Sequence, residues 1–477
     1  ESAVTIAGTT SGAEDGRVVS VTVGTVTQTA TVSAGAWTTS LTSSQVKSLS
    51  EGSVTITASV SDQAGNPATA ATKTITYDKT APTVSIGTVS TDDRISDAED
   101  ESAVTIAGTT SGAEDGRVVS VTVGTVTQTA TVSAGAWTTS LTSSQVKSLS
   151  EGSVTITASV SDQAGNPATA ATRTVSYDRT APSVSIGTVS GDDRINDAED
   201  ESAVTIAGTA SAEDGRVVSV TVGTVTQTAT VSAGAWTTSL TSSQVKSLSE
   251  GSVTITASVS DQAGNAATAA TRTVSYDRTA PTLSIGTVST DDRINDAEDE
   301  SAVTIAGTTS GAEDGRVVSV TVGTVTQTAT VSAGAWTTSL TSSQVKSLSE
   351  GSVTVTANVS DQAGNPATAA TRTVSYDRTA PTLSIGTVST DDRINDAEDE
   401  SAVTIAGTAS AEDGRVVSVT VGTVTQTATV SAGAWTTSLT SSQVKSLSEG
   451  SVTITASVSD QAGNPATAAT RTVSYDR

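Results

Sequence analysis

Short stretches of the chain alternate apolar and polar residues with a period of two, and Val, Ile and Thr predominate in them. Such alternation is typical of half-buried β-strands, because successive side chains of a strand point to opposite faces. In residues 79–178 the pattern predicts seven strands, separated by turn-forming residues at the spacing expected of two packed sheets. These strands are Thr83–Val89 (A), Ala103–Gly108 (B), Val118–Val123 (C), Val126–Val132 (C′), Trp137–Leu141 (E), Val154–Val160 (F) and Ala170–Tyr177 (G). One helical turn is predicted over residues 143–149.

The aromatic side chains of this segment are predicted to face inward. Trp137 shares strand parity with Leu141, and Tyr177 shares it with Val175, so both aromatic residues are expected in the core or at its rim. An exposed Trp that stacks on sugars is the alternative. We therefore predict an all-β fold built from immunoglobulin-like, seven-stranded β-sandwiches.

The same pattern recurs along the chain. The segment ESAVTIAGT begins at residues 1, 101, 201, 300 and 400. A period near 100 residues favours separate domains, each with its own core, over a solenoid. The predicted domains, called repeats 1 to 5 below, are residues 1–78, 79–178, 179–277, 278–377 and 378–477.

The linkers between repeats are predicted to be short and stiff. Each spans about four residues and contains Pro, as in residues 79–82. We therefore expect a tandem array that forms an extended, monomeric rod. Repeat 1 begins at strand B and lacks strand A, so we expect the chain to be a piece of something longer.

The composition excludes several kinds of function. The 477 residues include no Cys and no His, which excludes disulfides, thiolate metal sites, imidazole bases and Ser-His-Asp triads. With 50 acidic and 24 basic residues the net charge is −26, so nucleic acid and anionic membrane surfaces are poor partners. No apolar stretch is long enough to insert into a membrane. Its carboxylates can instead hold a hard cation.

The acidic residues are concentrated at the ends of the predicted sandwiches and in the linkers. Strand parity places the A–B connection at one end of each repeat and the B–C and F–G connections at the other, so acids of neighbouring repeats meet at each junction. The candidate Ca²⁺ ligands are Asp78, Asp178, Asp277 and Asp377 in the linkers, Asp192, Asp193, Asp197 and Glu199 in an A–B loop, Glu114, Asp115, Glu213, Asp214, Glu313, Asp314, Glu412 and Asp413 in the B–C loops, and Asp162, Asp261, Asp361 and Asp460 in the F–G loops.

Calcium is the cation that this arrangement favours. Ca²⁺ takes six to eight oxygen ligands in a flexible geometry, whereas Mg²⁺ demands a strict octahedron and keeps its waters. Without a cation, so many like charges within a Debye length of about 8–10 Å would repel and splay the junction. The alternative interpretation is a solvated acidic surface that keeps the array soluble.

Several motifs recur along the chain: Asp-x-Thr-Ala-Pro-x-x-Ser-Ile-Gly-Thr-Val, then an acidic loop, Glu-Asp-Gly, Gly-Ala-Trp and Val-Ser-Asp-Gln-Ala-Gly-Asn. Their combination resembles the bacterial Ig-like extender repeats of giant RTX adhesins, such as a marine ice-binding adhesin and biofilm-associated adhesins. The resemblance implies a type I-secreted protein at the bacterial cell surface. In it, many Ca²⁺-rigidified domains hold a distal binding domain away from the outer membrane. Transferred to this chain, the junction ligands would be Asp178, Glu213, Asp214 and Asp261, while the glycine-rich nonapeptides of RTX termini are absent.

The first hypothesis for the function is therefore structural: a spacer that is rigid when Ca²⁺ is bound and whose partners are the neighbouring repeats. The alternative is an adhesive module that binds ice, glycans or another cell through the Thr-rich residues 125–132. Thr is also favoured on solvent-facing strands by its β propensity. An enzyme is not expected, because the paired carboxylates lie on convex ends without an aromatic-lined cleft.

Overall fold

Each of the five repeats folds into two β-sheets around its own hydrophobic core, in a computed structural model that describes residues 2–477. Strands dominate, and the helices are single turns of four or five residues. The prediction of an all-β tandem array of Ig-like sandwiches is confirmed.

The strands and helices recur in the same order in each repeat. Repeat 1 contains β1 (Val4–Thr9), β2 (Val18–Val23), β3 (Val26–Thr31), β4 (Ala36–Leu41), α1 (Ser43–Lys47), β5 (Gly52–Ser59) and β6 (Ala71–Tyr77). Repeat 2 contains β7 (Thr83–Val84), β8 (Arg94–Ile95), α2 (Asp97–Asp100), β9 (Val104–Ser111), β10 (Val118–Val123), β11 (Val126–Thr131), β12 (Ala136–Leu141), α3 (Ser143–Lys147), β13 (Gly152–Ser159) and β14 (Ala171–Tyr177).

The remaining repeats follow repeat 2 closely. Repeat 3 contains β15 (Arg194–Ile195), α4 (Asp197–Asp200), β16 (Val204–Thr209), β17 (Val217–Val222), β18 (Val225–Thr230), β19 (Ala235–Leu240), α5 (Ser242–Lys246), β20 (Gly251–Ser258) and β21 (Ala270–Tyr276). Repeat 4 contains β22 (Thr282–Leu283), β23 (Arg293–Ile294), α6 (Asp296–Asp299), β24 (Val303–Ser310), β25 (Val317–Val322), β26 (Val325–Thr330), β27 (Ala335–Leu340), α7 (Ser342–Lys346), β28 (Gly351–Asn358) and β29 (Ala370–Tyr376). Repeat 5 contains β30 (Arg393–Ile394), β31 (Val403–Thr408), β32 (Val416–Val421), β33 (Val424–Thr429), β34 (Ala434–Leu439), α8 (Ser441–Val444), β35 (Gly450–Ser457) and β36 (Ala469–Tyr475).

Repeat 2 shows the complete topology. One sheet has the order β12–β9–β7, which are strands E, B and A, and the other has the order β11–β10–β13–β14–β8. In the second sheet β11, β10, β13 and β14 are strands C′, C, F and G. The short β8, which we call A′, runs parallel to G, with Ile95 opposite Tyr177. The first and last segments of the repeat therefore lie side by side.

The region predicted as strand A and an A–B loop differs most from the prediction. Strand A was expected over residues 83–89, but only Thr83–Val84 forms a strand, although the amides of Ser85 and Gly87 continue to bond to strand B. Strand A′ and the helix α2 were not predicted. Two residues of strand are too short to show a period, so the pattern carried no signal for A′. The predicted helical turn is confirmed as α3.

A side-chain cap explains why the acidic segment after A′ becomes helical. The Ser96 hydroxyl accepts a hydrogen bond from the Glu99 amide, and the Glu99 carboxylate accepts one from the Ser96 amide. This reciprocal capping box satisfies amides that the first helical turn leaves free. Asn196 and Asn295 take the place of Ser96 in repeats 3 and 4, whereas residues 396–400 of repeat 5 form turns.

The predicted core aromatics are buried in repeats 2 to 5. Trp137 is 2% exposed and Tyr177 is fully buried, which contradicts the alternative of an exposed sugar-stacking Trp at that position. The indole lies over Gly108 of strand B, where an added Cβ would collide with the Trp137 ring and the Ser85 carbonyl. Glycine at this position is therefore required by the close packing of strands A, B and E.

Repeat 1 shows what the A–A′ segment contributes, because no such segment is among its described residues. Val4 is 44% exposed, whereas its counterpart Val104 is 5% exposed. Trp37 and Tyr77 are also only partly buried. Strands A and A′ therefore close one side of the core in the other repeats.

A natural difference in repeat 4 leads to the first prediction. Val355 occupies the strand F position that is Ile in the other repeats, and it lines a core cavity of about 10 Å³. An Ile-to-Val change in a core costs about 0.5–1.5 kcal/mol. We expect Val355→Ile to stabilise repeat 4 by about 1 kcal/mol, because the other repeats accommodate Ile with the same neighbours.

Hydrogen exchange of β28, whose sequence is unique to repeat 4, measures this effect. Protection should rise by roughly fivefold when the exchange proceeds through unfolding of the repeat. The reverse variant Ile255→Val is the control and should lower the protection of β20. Faster exchange in the Val355→Ile chain would show that the larger side chain is strained instead.

Candidate metal centre at the repeat junction

The short helix after A′ brings three carboxylates together. Asp97, Asp100 and Glu101 have the i, i+3, i+4 spacing of one helical face, and each offers an oxygen within 4.8 Å of the others. Asp100 is buried, and the other two are exposed. We call this group the three-carboxylate cluster. Within residues 2–477 its counterparts are Asp197/Asp200/Glu201, Asp296/Asp299/Glu300 and Asp396/Asp399/Glu400.

The buried aspartate of the cluster is only half satisfied. Asp100 Oδ2 accepts a hydrogen bond of 2.6 Å from the Tyr177 hydroxyl. Asp100 Oδ1 is shielded from solvent and accepts no hydrogen bond, and the same holds for Oδ1 of Asp200, Asp299 and Asp399. Burial, together with the hydrogen bond to Asp100, raises the pKa of Tyr177 to about 12. An unpaired buried carboxylate oxygen is costly, and a bound cation would satisfy it.

A lysine on the neighbouring helix faces the same cluster. Lys147, the last residue of α3, places its Nζ 2.6 Å from Glu101 Oε1 and 3.6 Å from Asp100 Oδ1. Its hydrogen bond to Glu101 raises the pKa of Lys147. The ammonium compensates one of the three negative charges and leaves the group acidic.

The helix that carries the cluster contacts the next repeat through one asparagine. Asn265, in the F–G loop of repeat 3, accepts a 2.8 Å hydrogen bond from the Asp97 amide of repeat 2. Its Nδ2 donates to the linker carbonyl of Asp178 and to the Asp261 carboxylate, both at 2.9 Å. One side chain thus joins the preceding repeat, the linker and its own loop.

The following junctions repeat this arrangement and add to it. Asn365 and Asn464 accept from the amides of Asp197 and Asp296, respectively, at 2.8 Å. The capping Asn196 also donates to the Ala363 carbonyl at 3.0 Å, and Asn295 donates to Ala462 at 3.1 Å. The capping residue between repeats 2 and 3 is Ser96, for which the corresponding bond is not seen. The geometry confirms that the two acidic ends meet at the junction.

The F–G aspartates predicted as ligands shape their own loops. Asp261 is buried and accepts hydrogen bonds from the amides of Gly264 and Asn265 and from the Asn265 side chain. Burial acts to raise the pKa of Asp162, but hydrogen bonds from Asn166 outweigh it and lower that pKa overall. The equivalent bonds in repeats 4 and 5 are made by Asp361 and Asp460.

The predicted B–C acids tie that loop to its neighbours. Glu213 accepts a 2.9 Å hydrogen bond from the Gln262 amide of the F–G loop, and Asp214 accepts one of 2.8 Å from the Ala233 amide. Glu114, Glu313 and Glu412 make the equivalent bond to the F–G loop, and Asp115 makes the equivalent of the Asp214 bond. Asp314 and Asp413 occupy the same turn position.

The linker aspartates cap the start of the next repeat. Asp178 Oδ1 accepts a 3.0 Å hydrogen bond from the Thr180 amide, two residues further on. The same turn is made by Asp78, Asp277 and Asp377. Their side chains are thus used locally, while their backbone carbonyls receive the junction asparagine.

The four A–B acids have four different sets of contacts. Asp193 binds Arg272 of strand G with both carboxylate oxygens, and this pairing lowers the pKa of Asp193. Asp192 accepts a hydrogen bond from the Arg194 amide in the turn before A′. Glu199 closes the capping box, so only Asp197 lies in a three-carboxylate cluster.

The predicted junction ligands do not belong to one carboxylate cluster, and their role as ligands stays a prediction. Asp178, Glu213, Asp214 and Asp261 form no cluster of three carboxylates within 4.8 Å in the described residues. Asp200 and Glu201, which complete the cluster, were not among the predicted ligands. Their spacing from Asp197 and the Asn-x-x-Glu capping signature were signals for a helix, and treating the segment as a loop concealed them.

The two-sheet fold of each repeat is that of bacterial Ig-like domains. The chain belongs to the bacterial Ig-like domain (group 3) family, whose profile matches residues 40–135, 138–239, 239–338 and 335–477. A further bacterial Ig-like domain profile matches residues 94–179. None of the curated proteins matches the chain.

Three solved structures illustrate the similarity. A Ca²⁺-stabilised adhesin with which an Antarctic bacterium binds ice is 26% identical, over 84% of this chain and 100% of that one, with a TM-score of 0.34. A tetra-tandem repeat from the extending region of a large adhesion protein is 28% identical, over 83% and 100%, with a TM-score of 0.35. A 1.5-MDa bacterial ice-binding adhesin is 26% identical, over 62% and 97%, with a TM-score of 0.33. The whole chains superpose only loosely.

No helix within residues 2–477 has the length and apolar character needed to cross a membrane.

The junction asparagine gives the second prediction. Asn365→Ala removes the bonds to the Asp197 amide and the Asp277 carbonyl, so repeats 3 and 4 should move more freely. The chain has no Cys, so spin labels can be placed at Thr228→Cys and Thr328→Cys. We expect double electron–electron resonance to show a broader distribution of distances between the two labels in the variant.

Asn66→Ala is the matched control, because Asn66 makes the same loop bonds to Asp62 in repeat 1 and has no bond to another repeat within residues 2–477. It should leave the distribution between the two labels unchanged. An equally narrow distribution in the Asn365→Ala chain would show that this side chain does not hold the junction.

The tyrosine–aspartate pair gives the third prediction. Burial first, and then the hydrogen bond to the aspartate, raises the pKa of Tyr276 and Tyr376 to about 12. The folded pKa lies above the unfolded value near 10. The stability that the neutral buried tyrosine contributes is therefore fully present below pH 10 and is lost as the pH rises through 12. The difference between the folded and the unfolded pKa corresponds to roughly 3 kcal/mol per repeat.

Tyrosinate absorbance, followed together with circular dichroism, measures this effect. The absorbance of these buried tyrosines should rise only above pH 11, together with unfolding. Titration near pH 10 with the strands intact would contradict the proposed strength of the pair.

Proposed function

We propose that this chain is a structural spacer of a bacterial cell-surface adhesin, stiffened at its repeat junctions by Ca²⁺. One observation carries the proposal: the helix that presents the three-carboxylate cluster also contacts the next repeat. The Asp97 carboxylate belongs to the cluster, and the Asp97 amide donates to Asn265 across the junction. A cation bound by this helix would therefore fix a surface against which the next repeat packs.

The residues fit a calcium ion. Asp97, Asp100 and Glu101 supply oxygen ligands, and Asp100 Oδ1 is buried without a hydrogen bond. Ca²⁺ accepts six to eight oxygens, so three carboxylates leave coordination positions for water or for backbone carbonyls. A bound ion would supply positive charge where the chain has a surplus of negative charge. The helix would hold the ion, and the hydrogen bond from that helix to the F–G asparagine would fix the neighbouring repeat against it.

We propose the cluster, rather than the originally predicted loop acids, as the ligand set. The carboxylates of Asp261, Glu213 and Asp214 accept backbone hydrogen bonds that hold the F–G and B–C loops in shape. These acids would act by positioning the loop that carries Asn265. The same division of roles applies at the junctions between repeats 3 and 4 and between repeats 4 and 5.

The proposed surface location and spacer role are supported by the sequence motifs that resemble adhesin extender repeats and by membership of the bacterial Ig-like family. Near-identical repeats suit a protein that needs length, whereas separate ligand sites would tolerate divergence. We propose that each sequence repeat is a domain with the limits given above, that the array is a monomeric rod outside the cell, and that its role is structural rather than enzymatic.

The adhesive alternative has less support. The Thr side chains of the edge strand β11 point to solvent, as Thr127 and Thr129 do. Thr127 also pairs with Thr122 across the strands, at 3.1 Å between the hydroxyl oxygens. This is the expected outer face of a β-sheet, and nothing about it requires a ligand.

The proposed function leads to the fourth prediction, tested by small-angle scattering and thermal melting in Ca²⁺ and in chelator. Ca²⁺ should increase the maximum dimension and the melting temperature, because it links a folded site to the next repeat. The combined variant Asp97→Asn, Asp197→Asn, Asp296→Asn should need at least tenfold more Ca²⁺ for the same effect, since each site loses one of three charged ligands.

The matched control removes the same charge outside the cluster: Asp92→Asn, Asp192→Asn, Asp291→Asn. These aspartates are about half exposed and accept a backbone hydrogen bond that Asn can also accept. The control should respond to Ca²⁺ as the unaltered chain does. A maximum dimension and a melting temperature that Ca²⁺ leaves unchanged in the unaltered chain would overturn the proposal.

A further inference from the structure

A lysine ammonium faces every three-carboxylate cluster from the adjacent helix. In repeats 3 to 5 the Nζ lies 2.5–2.6 Å from the glutamate and 3.7 Å from the buried aspartate, close to the distances in repeat 2. The lysines are Lys147, Lys246, Lys346 and Lys445. The same arrangement in four repeats marks it as a feature of the fold.

The ammonium stands on the side toward which the unpaired oxygen points. It forms a short bond to Glu101, but at 3.6 Å it is too far from Asp100 Oδ1 for a hydrogen bond. Asp197 and Asp296 also act through their charge to raise the pKa of the lysine beside them. The ammonium therefore lies in the field of all three carboxylates and satisfies only one of them fully.

We propose that this lysine is a built-in competitor for the metal. It holds the cluster together when no divalent ion is bound and must leave when one binds, so it sets the Ca²⁺ concentration at which the junction stiffens. The inference rests on the proposed Ca²⁺ site and adds a regulatory residue to it. The lysine is a positioning and competing group rather than a ligand.

Electrostatics requires the exchange. A divalent ion held by the same three carboxylates would lie within a few ångströms of the ammonium, and like charges this close repel each other. The lysine can move away, because it is about one-third exposed and its four-carbon stem is flexible. It is also the last residue of its helix, at the end where a positive charge is favoured.

Calcium titration calorimetry on the full chain tests the competition. The combined variant Lys147→Gln, Lys246→Gln, Lys346→Gln removes the ammonium at three internal junctions. It should bind Ca²⁺ about tenfold more tightly than the unaltered chain, because the ion no longer displaces a bound cation. In chelator the same variant should melt at a lower temperature, since three carboxylates then face one another uncompensated.

Removal of three other positive charges near the same ends of the repeats provides the matched control. Arg94, Arg194 and Arg293 pair with Asp92, Asp192 and Asp291, outside the clusters. Their combined change to Gln alters the net charge equally and should change the Ca²⁺ affinity by less than about threefold, as expected for exposed pairs. If the lysine variant does not fold, Lys→Arg at the same positions keeps the cation and should bind Ca²⁺ no more tightly than the unaltered chain.

The outcomes separate this inference from the proposed function. Equal affinities in the lysine variant and the arginine control would overturn the competition and leave the Ca²⁺ site in place. Binding to the lysine variant alone would support the competition and show that the native cluster is occupied by its lysine instead of Ca²⁺. Absence of binding in every chain would overturn both proposals. Tighter binding by the Lys→Arg chain than by the unaltered chain would overturn the competition alone.

Discussion

The hydrogen bond between the tyrosine that ends strand G and the buried aspartate of the three-carboxylate cluster connects the core of each of repeats 2 to 5 to its junction. Tyr177 is fully buried and donates to Asp100, which is fully buried as well. This bond fixes the helix that carries Asp97 and Glu101 against the end of strand G. Strand G leads directly into the linker, so the cluster and the linker are positioned by the same interaction.

The charge distribution follows from this arrangement. Burying an ionisable aspartate is costly unless partners compensate it, and here a tyrosine hydroxyl and a lysine share the compensation incompletely. Elsewhere the chain pairs its acids more fully, as Asp93 does with both oxygens on Arg173. The incomplete compensation is repeated at one place in each of repeats 2 to 5. The incompletely paired aspartate lowers the stability of the fold at the junction, and such local costs are typical of functional sites.

Differences among the repeats show which contacts are separable. Repeat 1 forms its two sheets with no A–A′ segment among its described residues, but Val4, Trp37 and Tyr77 are less buried than their counterparts, which separates the formation of the sandwich from its closure. Ser96 in place of Asn196 or Asn295 preserves the helix cap, whereas the asparagines also reach the next repeat. The junctions that follow repeats 2 to 4 therefore share the hydrogen bond to the F–G asparagine, and those with a capping asparagine add a second bond to the next repeat.

The sequence alone determined the all-β class, the repeat period, most strands, the inward Trp and Tyr, and the meeting of acidic ends at the junctions, because alternation and turn residues are local signals. It did not reveal A′, since Arg94–Ile95 becomes a strand only through parallel pairing with strand G, far along the chain. Nor did it separate the acids. The capping box places Asp97, Asp100 and Glu101 on one helix face. In repeat 3, Asp193 lies only four residues before the cluster but pairs with Arg272 instead. Carboxylates in one short segment look alike in sequence, and only the partners that folding brings from distant strands decide which of them are fully paired and which are not.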